Sequence, residues 1–379
     1  MTRVFIVAGE ASGDKLGEAV MRGLKALAPD TRFAGVGGPL MQAEGLTSLF
    51  AMDELSVMGL SEVLPKYRSL VRRKDETVRA ALEFGPDVLL TIDSPDFCKR
   101  VAREVKAARP DIRTVHYVAP SVWAWRPKRA AKMAAYTDQV LTLLPFEPPY
   151  MEAAGMRADF VGHPVVAAPQ PGAEEILRFR SNHGLGDSPV MLLLPGSRMG
   201  EVGRLSERFG AAAARVRAVR PELRPVVMVA DAVKDWLEAN RGRFPDATVF
   251  VSPKDGAEKR AAFAASSVAL AASGTVSLEL AAADVPMVIG YDMAWLSRMI
   301  LPRLMKIDTF TLVNLVSEMR AVPEFIGKAC RAEPMAQAVL EAYAAPEAQR
   351  EAMRLTMERL GRGGEEPGLR AARAVRDAL

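Results

Sequence analysis

Cysteine and histidine are scarce in this chain. Of 379 residues, two are cysteine and three are histidine. Cys98 and Cys330 are too far apart in sequence to form a CxxC redox or zinc site. His116, His163 and His183 are too scattered to suggest a metal cluster, and no metal or other cofactor is expected. So little cysteine fits a reducing compartment. A large excess of one charge is also missing. A net charge of +4 permits contact with an anionic membrane or a phosphate-bearing substrate, and is too weak to imply nucleic acid. No long apolar run is present: Phe263–Leu278, the longest weakly polar stretch, is shorter than a membrane span and carries serines. The opening MTRVFIVAGEASGD has too short an apolar run for a signal peptide and passes directly into a Gly/Ser/Asp loop. A protein that is soluble, or at most peripheral to a membrane, is expected. Two nucleotide motifs are absent as well. No GKS or GKT follows a glycine loop, and no strand is followed by GxGxxG with an acid about 20 residues on, which disfavours a dinucleotide-dependent oxidoreductase.

What is present is ordinary globular material. Residues AVILMFWYC make up 49% and charged residues 25%. The length suggests about two domains. Short aliphatic runs read as buried strands at Val4–Ala8, Val88–Ile92, Thr114–Val118, Val140–Leu144, Met191–Leu194, Pro225–Val229, Thr248–Val251 and Met287–Gly290. Helix-length segments lie between them. In one, Val202, Leu205, Phe209, Ala212 and Val216 recur at spacings of three and four opposite Arg204, Glu207, Arg208 and Arg215. Such alternation predicts parallel sheets covered on both faces. It occurs twice, separated by the Pro/Ala-rich linker His163–Ala173. The expected class is α/β, with two doubly wound Rossmann-like domains facing a cleft. Residues 1–163 form the first and 174–333 the second, with helices over 334–379 packing across both. Ligands in such sheets sit beyond the carboxyl ends of the strands.

The loops after strands therefore hold the candidates. Gly9-Glu10-Ala11-Ser12-Gly13-Asp14 is a glycine-bearing strand-to-helix turn whose N–H groups can approach an anion. The same residues also suit a tight turn capped by Ser12 or Asp14, and the residues alone do not separate these readings. Asp93, at a strand end, could serve as a general base or as a turn residue beside Pro95, with Asp96 capping the next helix. Gly196, Ser197 and Arg198 open the amphipathic helix and suit a diphosphate, since an arginine at a helix start opposes the dipole unless an anion is there. Ser273, Gly274 and Thr275 form a second such loop, with Glu279 one turn in and placed to accept from ribose hydroxyls. Thr275 stands four residues before Glu279, one longer than a capping box requires. Trp123 and Trp125, with Pro120, suit a sugar or acyl pocket or a loop anchor. Arg126, Lys128 and Arg129 could meet a phosphate or solvent. His163 and His183 read as structural or exposed. Val63, Leu64, Tyr67, Leu70 and Val71 cluster on one helical face beside Lys66, Arg68, Arg72, Arg73 and Lys74, which suits either a membrane interface or the core.

Nine segments occur in order from residue 7 to residue 279: VAGEASGD, VGGPLMQAEG, LSVMGLSEVL, TIDSPDF, HYVAPSVWAW, LLPFE, VGHP, LLPGSR and ASGTVSLE. As a set they closely resemble the lipid-A-disaccharide synthases, glycosyltransferases of Gram-negative bacteria. The resemblance weakens after about residue 330. It implies a B-type glycosyltransferase fold and a reaction between UDP-2,3-diacylglucosamine and 2,3-diacylglucosamine 1-phosphate (lipid X). The products would be a β(1→6)-linked disaccharide 1-phosphate and UDP, formed without a metal at the cytoplasmic face of the inner membrane. It further implies Asp93 as the base and Arg198 and Ser197 at the leaving diphosphate. Glu279 would be at the ribose, Asn314 near the donor, and Gly9–Asp14 on the acceptor side. Acyl chains would leave over the Val63–Val71 face, and a homodimer is compatible with the family. Three other readings compete: another UDP-sugar glycosyltransferase or epimerase of the same fold, an oxidoreductase, and a non-catalytic lipid- or nucleotide-binding protein.

Overall fold

The computed structural model describes residues 2–55, 60–125, 128–293, 305 and 307–379, and of residues 60–66 the backbone alone. The chain divides into two compact units, Met1–Ala167 with Leu360–Leu379, and Ala168–Arg359. The first contains β1 (Arg3–Ala8), α1 (Ala11–Leu27), β2 (Arg32–Val36), α2 (Pro39–Ala43), α3 (Leu60–Phe84), β3 (Val88–Ile92) and α4 (Pro95–Ala108). It continues with β4 (Arg113–Tyr117), α5 (Lys128–Met133), β5 (Gln139–Thr142), α6 (Pro148–Glu152) and β6 (Arg157–Phe160). Its six strands are all parallel, in the order β2-β1-β3-β4-β5-β6.

Parallel sheets need both faces covered, and the sequence supplies two apolar faces. Every residue of β3 is buried. Alternate residues of β1 point to opposite cores: Val4, Ile6 and Ala8 join Leu16, Val20 and Leu24 of α1, whereas Phe5 and Val7 join Cys98, Val101 and Val105 of α4.

The second unit contains α7 (Ala173–Asn182), β7 (Val190–Leu194), α8 (Met199–Val219), β8 (Arg224–Met228), α9 (Lys234–Ala239), β9 (Val249–Val251), α10 (Gly256–Ala264) and β10 (Val268–Ala271). There follow α11 (Val276–Ala282), β11 (Met287–Tyr291), α12 (Leu312–Ser317), β12 (Glu324–Ile326), α13 (Ala332–Ala344) and α14 (Glu347–Arg359). Its strands are parallel in the order β12-β11-β10-β7-β8-β9. The stripe Val202, Leu205, Phe209, Ala212 and Val216 of α8 is buried in full against β7, β8, β10 and α13. The last helix, α15 (Pro367–Arg376), returns to the first unit and packs on α1.

Four strands were not among those expected. Three of them, β2, β6 and β12, lie at or beside sheet edges and carry Arg32, Arg157 with Asp159, and Glu324. Only one side of such a strand needs to be apolar, so the continuous aliphatic run is lost. The fourth, β10, is the alanine-rich VALA of Val268–Ala271. The segment 334–379, taken as one body of helices, is divided. Helices α13 and α14 belong to the second unit and α15 to the first. The reason is local: α15 closes the β6 edge, where Arg370 Nη2 donates to Phe160 O at 2.7 Å and Gln139 Nε2 donates to Ala374 O at 3.0 Å. Among the described residues, no helix is long and apolar enough to cross a membrane.

Candidate active site

In each sheet the strand order reverses once, and there the loops after two neighbouring strands lead to opposite faces and leave a crevice. In the first unit the reversal falls between β1 and β3, and in the second between β7 and β10. Four of the loops singled out in the sequence follow these strands.

At the first crevice the β1 loop touches the β3 loop. The Ser12 hydroxyl lies near the Asp93 carboxylate and favours its charged form. Burial pushes the Asp93 carboxyl above the ordinary aspartate range, and the Ser94 N–H and the Ser12 hydroxyl partly offset this. A carboxylate in that state is a stronger base than one in water. The close approach depends on Gly9, because a Cβ there would lie 2.4 Å from Ser94 Oγ. The turn itself is strained: Asp93 and Ser94 have φ of 49° and 42°, and Val118, after β4, has φ of 85°. Non-glycine residues seldom occupy this region, and a β-branched one there is a true outlier. Ser94 is the N-cap of α4 but makes no capping bond, and its buried Oγ has no hydrogen-bond partner.

Asp14 needs a correction. Its carboxylate is buried and accepts the backbone N–H groups of Gly38, Leu40 and Met41 at 2.9–3.0 Å. It caps a helix, as one of the readings had it, but that helix is α2 and not its own. Buried and holding three backbone N–H groups, it supports the loop from behind and does not face an acceptor. Gly13 is buried at the start of α1, and Ser12 is exposed. Glu10 borders a pocket of about 340 Å³ with Leu55, Tyr67, Leu70, Val71, Ser94 and Phe97. Three residues of the apolar strip thus line a pocket beside the crevice, with Tyr67 49% exposed. The side chains of Val63 and Leu64 lie outside the described residues. The cationic margin is weaker than its sequence suggests. Arg73 donates to Glu54 at 2.6 and 2.8 Å and to Glu76 at 2.7 Å, and Lys74 donates to Glu104 at 2.6 Å.

In the second unit the β7 and β10 loops enclose a pocket of about 540 Å³ that includes Gly196, Ser197, Arg198, Ser273, Gly274, Thr275 and Glu279. Gly196 has φ of 112°, and a Cβ there would lie 2.6 Å from Glu201 Oε2. Glu201 answers the dipole argument made for Arg198. Its carboxylate accepts the Ser197 N–H at 3.3 Å and lies 3.7 Å from Arg198 Nη1, so the chain itself supplies an anion at the start of α8. The Arg198 side chain remains 67% exposed, with most of its donors open to the pocket. Thr275 is the N-cap of α11 and makes no side-chain capping bond, so the capping-box reading is not realised. Instead, the Ser277 hydroxyl donates to Gly274 O at 3.0 Å.

The sequence reading missed Lys259, which lines the same pocket and holds both Glu279 oxygens at 2.8 and 2.9 Å. A lysine and a glutamate 20 residues apart on different helices leave no local signal. Asn314 also needs a correction. It is buried, its Nδ2 donates to Thr309 Oγ1 at 3.2 Å and Val322 O at 2.9 Å, and its Oδ1 accepts the Val322 N–H at 3.0 Å. Its amide is committed to Thr309 and Val322, and it does not line the β7–β10 pocket.

The tryptophan loop is an anchor. Trp123 Nε1 donates to Glu147 Oε1 at 3.1 Å, its ring packs edge-on against Phe146, and Glu147 Oε2 accepts the N–H groups of Leu143 and Leu144. Burial still raises the Glu147 carboxyl to about 7. His163 is structural, its Nδ1 accepting the Val165 N–H at 3.1 Å. His183 pairs with Glu258 at 3.2 Å.

Comparison with known proteins gives the same picture at three levels. In fold, the chain is similar to the UDP-GlcNAc 2-epimerase from Neisseria meningitidis bound to UDP-GlcNAc, with a TM-score of 0.64 at 10% identity, covering 100% of this chain and 99% of that one. It is likewise similar to the calicheamicin glycosyltransferase CalG4, with a TM-score of 0.58 at 17% identity, covering 100% and 98%. At these identities the likeness concerns the two-domain fold alone. In sequence, it is 60% identical over 385 positions to a lipid-A-disaccharide synthase of Ruegeria pomeroyi, covering 100% of this chain and 96% of the relative. It is 42% identical over 391 positions to one of Rhodospirillum centenum, covering 99% and 94%. A family model described as Lipid-A-disaccharide synthetase matches residues 4–374. The chain therefore belongs to the lipid-A-disaccharide synthase family of glycosyltransferases.

Proposed function

We propose that the chain transfers 2,3-diacylglucosamine from its UDP derivative to the 6-hydroxyl of 2,3-diacylglucosamine 1-phosphate, with inversion. The observation that carries this reading is the content of the two crevices. One holds a base-like carboxylate, Asp93, near Ser12. The other holds an exposed arginine, hydroxyls and a glycine-opened helix start of the kind a diphosphate fits.

The acceptor hydroxyl gives its proton to Asp93 as its oxygen forms the bond to the anomeric carbon. The bond from that carbon to the diphosphate oxygen breaks on the opposite side, and its electron pair leaves with UDP. One in-line displacement converts an α-linked donor to a β-linked product. The charge that grows on the leaving diphosphate is met by Arg198 and by donors of Ser197, Ser273 and Thr275. Glu279, oriented by Lys259, accepts from the ribose hydroxyls. The pocket bordered by Leu55, Tyr67, Leu70, Val71 and Phe97 takes acyl chains at a membrane surface, where the chain acts as a peripheral protein.

The test is turnover in detergent with both lipid substrates and a chelator, following UDP and disaccharide, with the new linkage assigned by proton coupling. Equal release of both products with a β linkage supports the reading. UDP release without disaccharide points to hydrolysis or another acceptor, and an α linkage overturns the single displacement.

A further inference from the structure

The turn Asp93–Pro95 borders two pockets. On the side of Ser94 lies the pocket just assigned to acyl chains, where Leu55, Tyr67, Leu70, Val71 and Phe97 supply apolar wall and Glu10, Lys74, Asp96 and Arg100 also line it. On the side of Asp93 lies a second pocket, of about 240 Å³, between the end of β3, α4, the loop after β4, and α5. Its walls are apolar and polar in similar measure, and its charged residues are cationic by two to one. Lys99 and Arg129 line it together with the hydroxyl-bearing Ser121, Tyr136 and Thr137. Asp93 is the only carboxylate among its lining residues.

Two features mark it as a built site. First, its cations are unpaired. Arg73, Lys74 and Lys106 of the same unit all hold carboxylates, whereas among the described residues neither Lys99 nor Arg129 makes a hydrogen bond or ion pair. Second, His116 lines the pocket from within the sheet while only 8% exposed. Its Nδ1 meets Thr91 Oγ1 at 2.8 Å, and its Nε2 has no partner among the described residues. Burial and the nearby Arg129 hold this imidazole at about 4, so it is neutral at pH 7. The Thr91 hydroxyl has both Nδ1 and, at 3.3 Å, Val115 O in reach; in the tautomer in which it donates to Nδ1, the imidazole proton sits on Nε2 and faces an incoming oxygen.

We infer that this pocket seats the phosphate of the acceptor, with Lys99 and Arg129 taking its charge and His116 donating from the floor. The inference rests on the transferase reading, and deepens it by assigning the acceptor's anionic end. Two cations match a phosphate monoester dianion, and arginine suits paired phosphate oxygens. The proposed acceptor is an amphiphile with a phosphate and acyl chains on one sugar. The two pockets lie on either side of the turn that carries the base, one with unpaired cations and the other with the wall of Leu55, Leu70, Val71 and Phe97.

The test compares acceptors with and without the 1-phosphate in Lys99→Gln, Arg129→Gln and the double variant. Both side chains are exposed, so the variants keep the fold, which thermal melting verifies. Each single variant is expected to raise KM for the phosphorylated acceptor about tenfold and the double about a hundredfold. The preference of the wild type for that acceptor over its dephosphorylated form should collapse in step, while UDP affinity stays within about twofold. An equal loss on both acceptors, or none on either, overturns the assignment. A binding arm is independent of turnover: glucosamine 1-phosphate is titrated against glucosamine by calorimetry. Binding of the phosphorylated sugar that disappears in the double variant supports the pocket, even if no disaccharide forms and the transferase reading fails. Binding that persists in the double variant, no binding by the wild type, or inorganic phosphate binding as tightly overturns it.

Discussion

Asp93 is a half-buried acid placed where its neighbours resist full neutralisation, and that governs what its substitution should do. Asp93→Asn keeps the shape but cannot take a proton. Turnover should fall about 10²–10⁴-fold while UDP binding in the second unit is unchanged. Retained turnover would remove Asp93 from the base role. Because burial raises its proton affinity, the acidic limb of kcat/KM against pH should lie above the ordinary aspartate value of about 3.9. Activity is lost as pH falls through that point, since the protonated acid cannot accept a proton, and the Asn variant should show no such limb. For Arg198, removal of a charge-assisted contact to phosphate is expected to weaken UDP about 10–100-fold, read by titration calorimetry. Unchanged affinity would place the diphosphate elsewhere.

At the scale of elements, the site depends on how closely two loops can approach and on what stands behind them. Gly9 lies against Ser94, so Gly9→Ala must drive the β1 and β3 loops apart. A drop in kcat with little change in melting temperature is expected, and Ser94→Gly in the same chain should restore most of it, because glycine removes the contact and also tolerates the left-handed φ. Failure of the rescue would mean that the contact is not what sets the loop spacing. Asp14 supports the same loop from its buried side. Asp14→Ala leaves three backbone N–H groups at the start of α2 without their acceptor, and a loss of about 2–4 kcal/mol is expected in denaturant unfolding of the first unit. The strained turn 93–94 and Val118 fit the same pattern: backbone cost is concentrated where loops carry chemistry, and the all-buried strands beneath over-determine it.

At the scale of the whole molecule, the first unit has an acid sensitivity that follows from its buried titratable groups. His116 and His163 are held at about 4 by burial, well below the unfolded value of 6.5. The unfolded chain therefore binds protons that the folded one refuses, and stability is lost as pH falls from about 6.5 towards 4. Glu147 acts in the opposite sense. With its carboxyl raised from 4.5 to about 7, the folded chain holds a proton that the unfolded one has released, and stability is lost as pH rises across that window. Two histidines outweigh one glutamate, so the melting temperature of the first unit should fall between pH 6.5 and pH 5. His163→Asn should flatten that slope, and a slope that is unchanged or reversed would refute the assignment.

Much of this protein could be read from its residues in order. Fully buried parallel strands must be aliphatic along their whole length, so β1, β3, β7 and β8 stand out, and the loops after three of them hold the polar residues a ligand would meet. The stripe of α8 is periodic for the same reason. Gly9, Asp93, Gly196 and Arg198 were legible because each stands at a strand end, where chain direction and burial change within one or two residues. Other features depend on where distant segments meet. The partners of Asp14 are backbone groups, and those of Asn314 are the Val322 backbone and the Thr309 hydroxyl, none of which a local pattern announces; a polar side chain in a loop looks the same whether it faces a ligand or its own fold. The pairing of Lys259 with Glu279 and the shared wall of Lys99, His116 and Arg129 join residues from separate elements, brought together only when the sheet order is set. Local composition determines which segments are strands and which loops follow them. Tertiary packing alone decides which polar groups find a partner inside the protein and which are left facing the pocket.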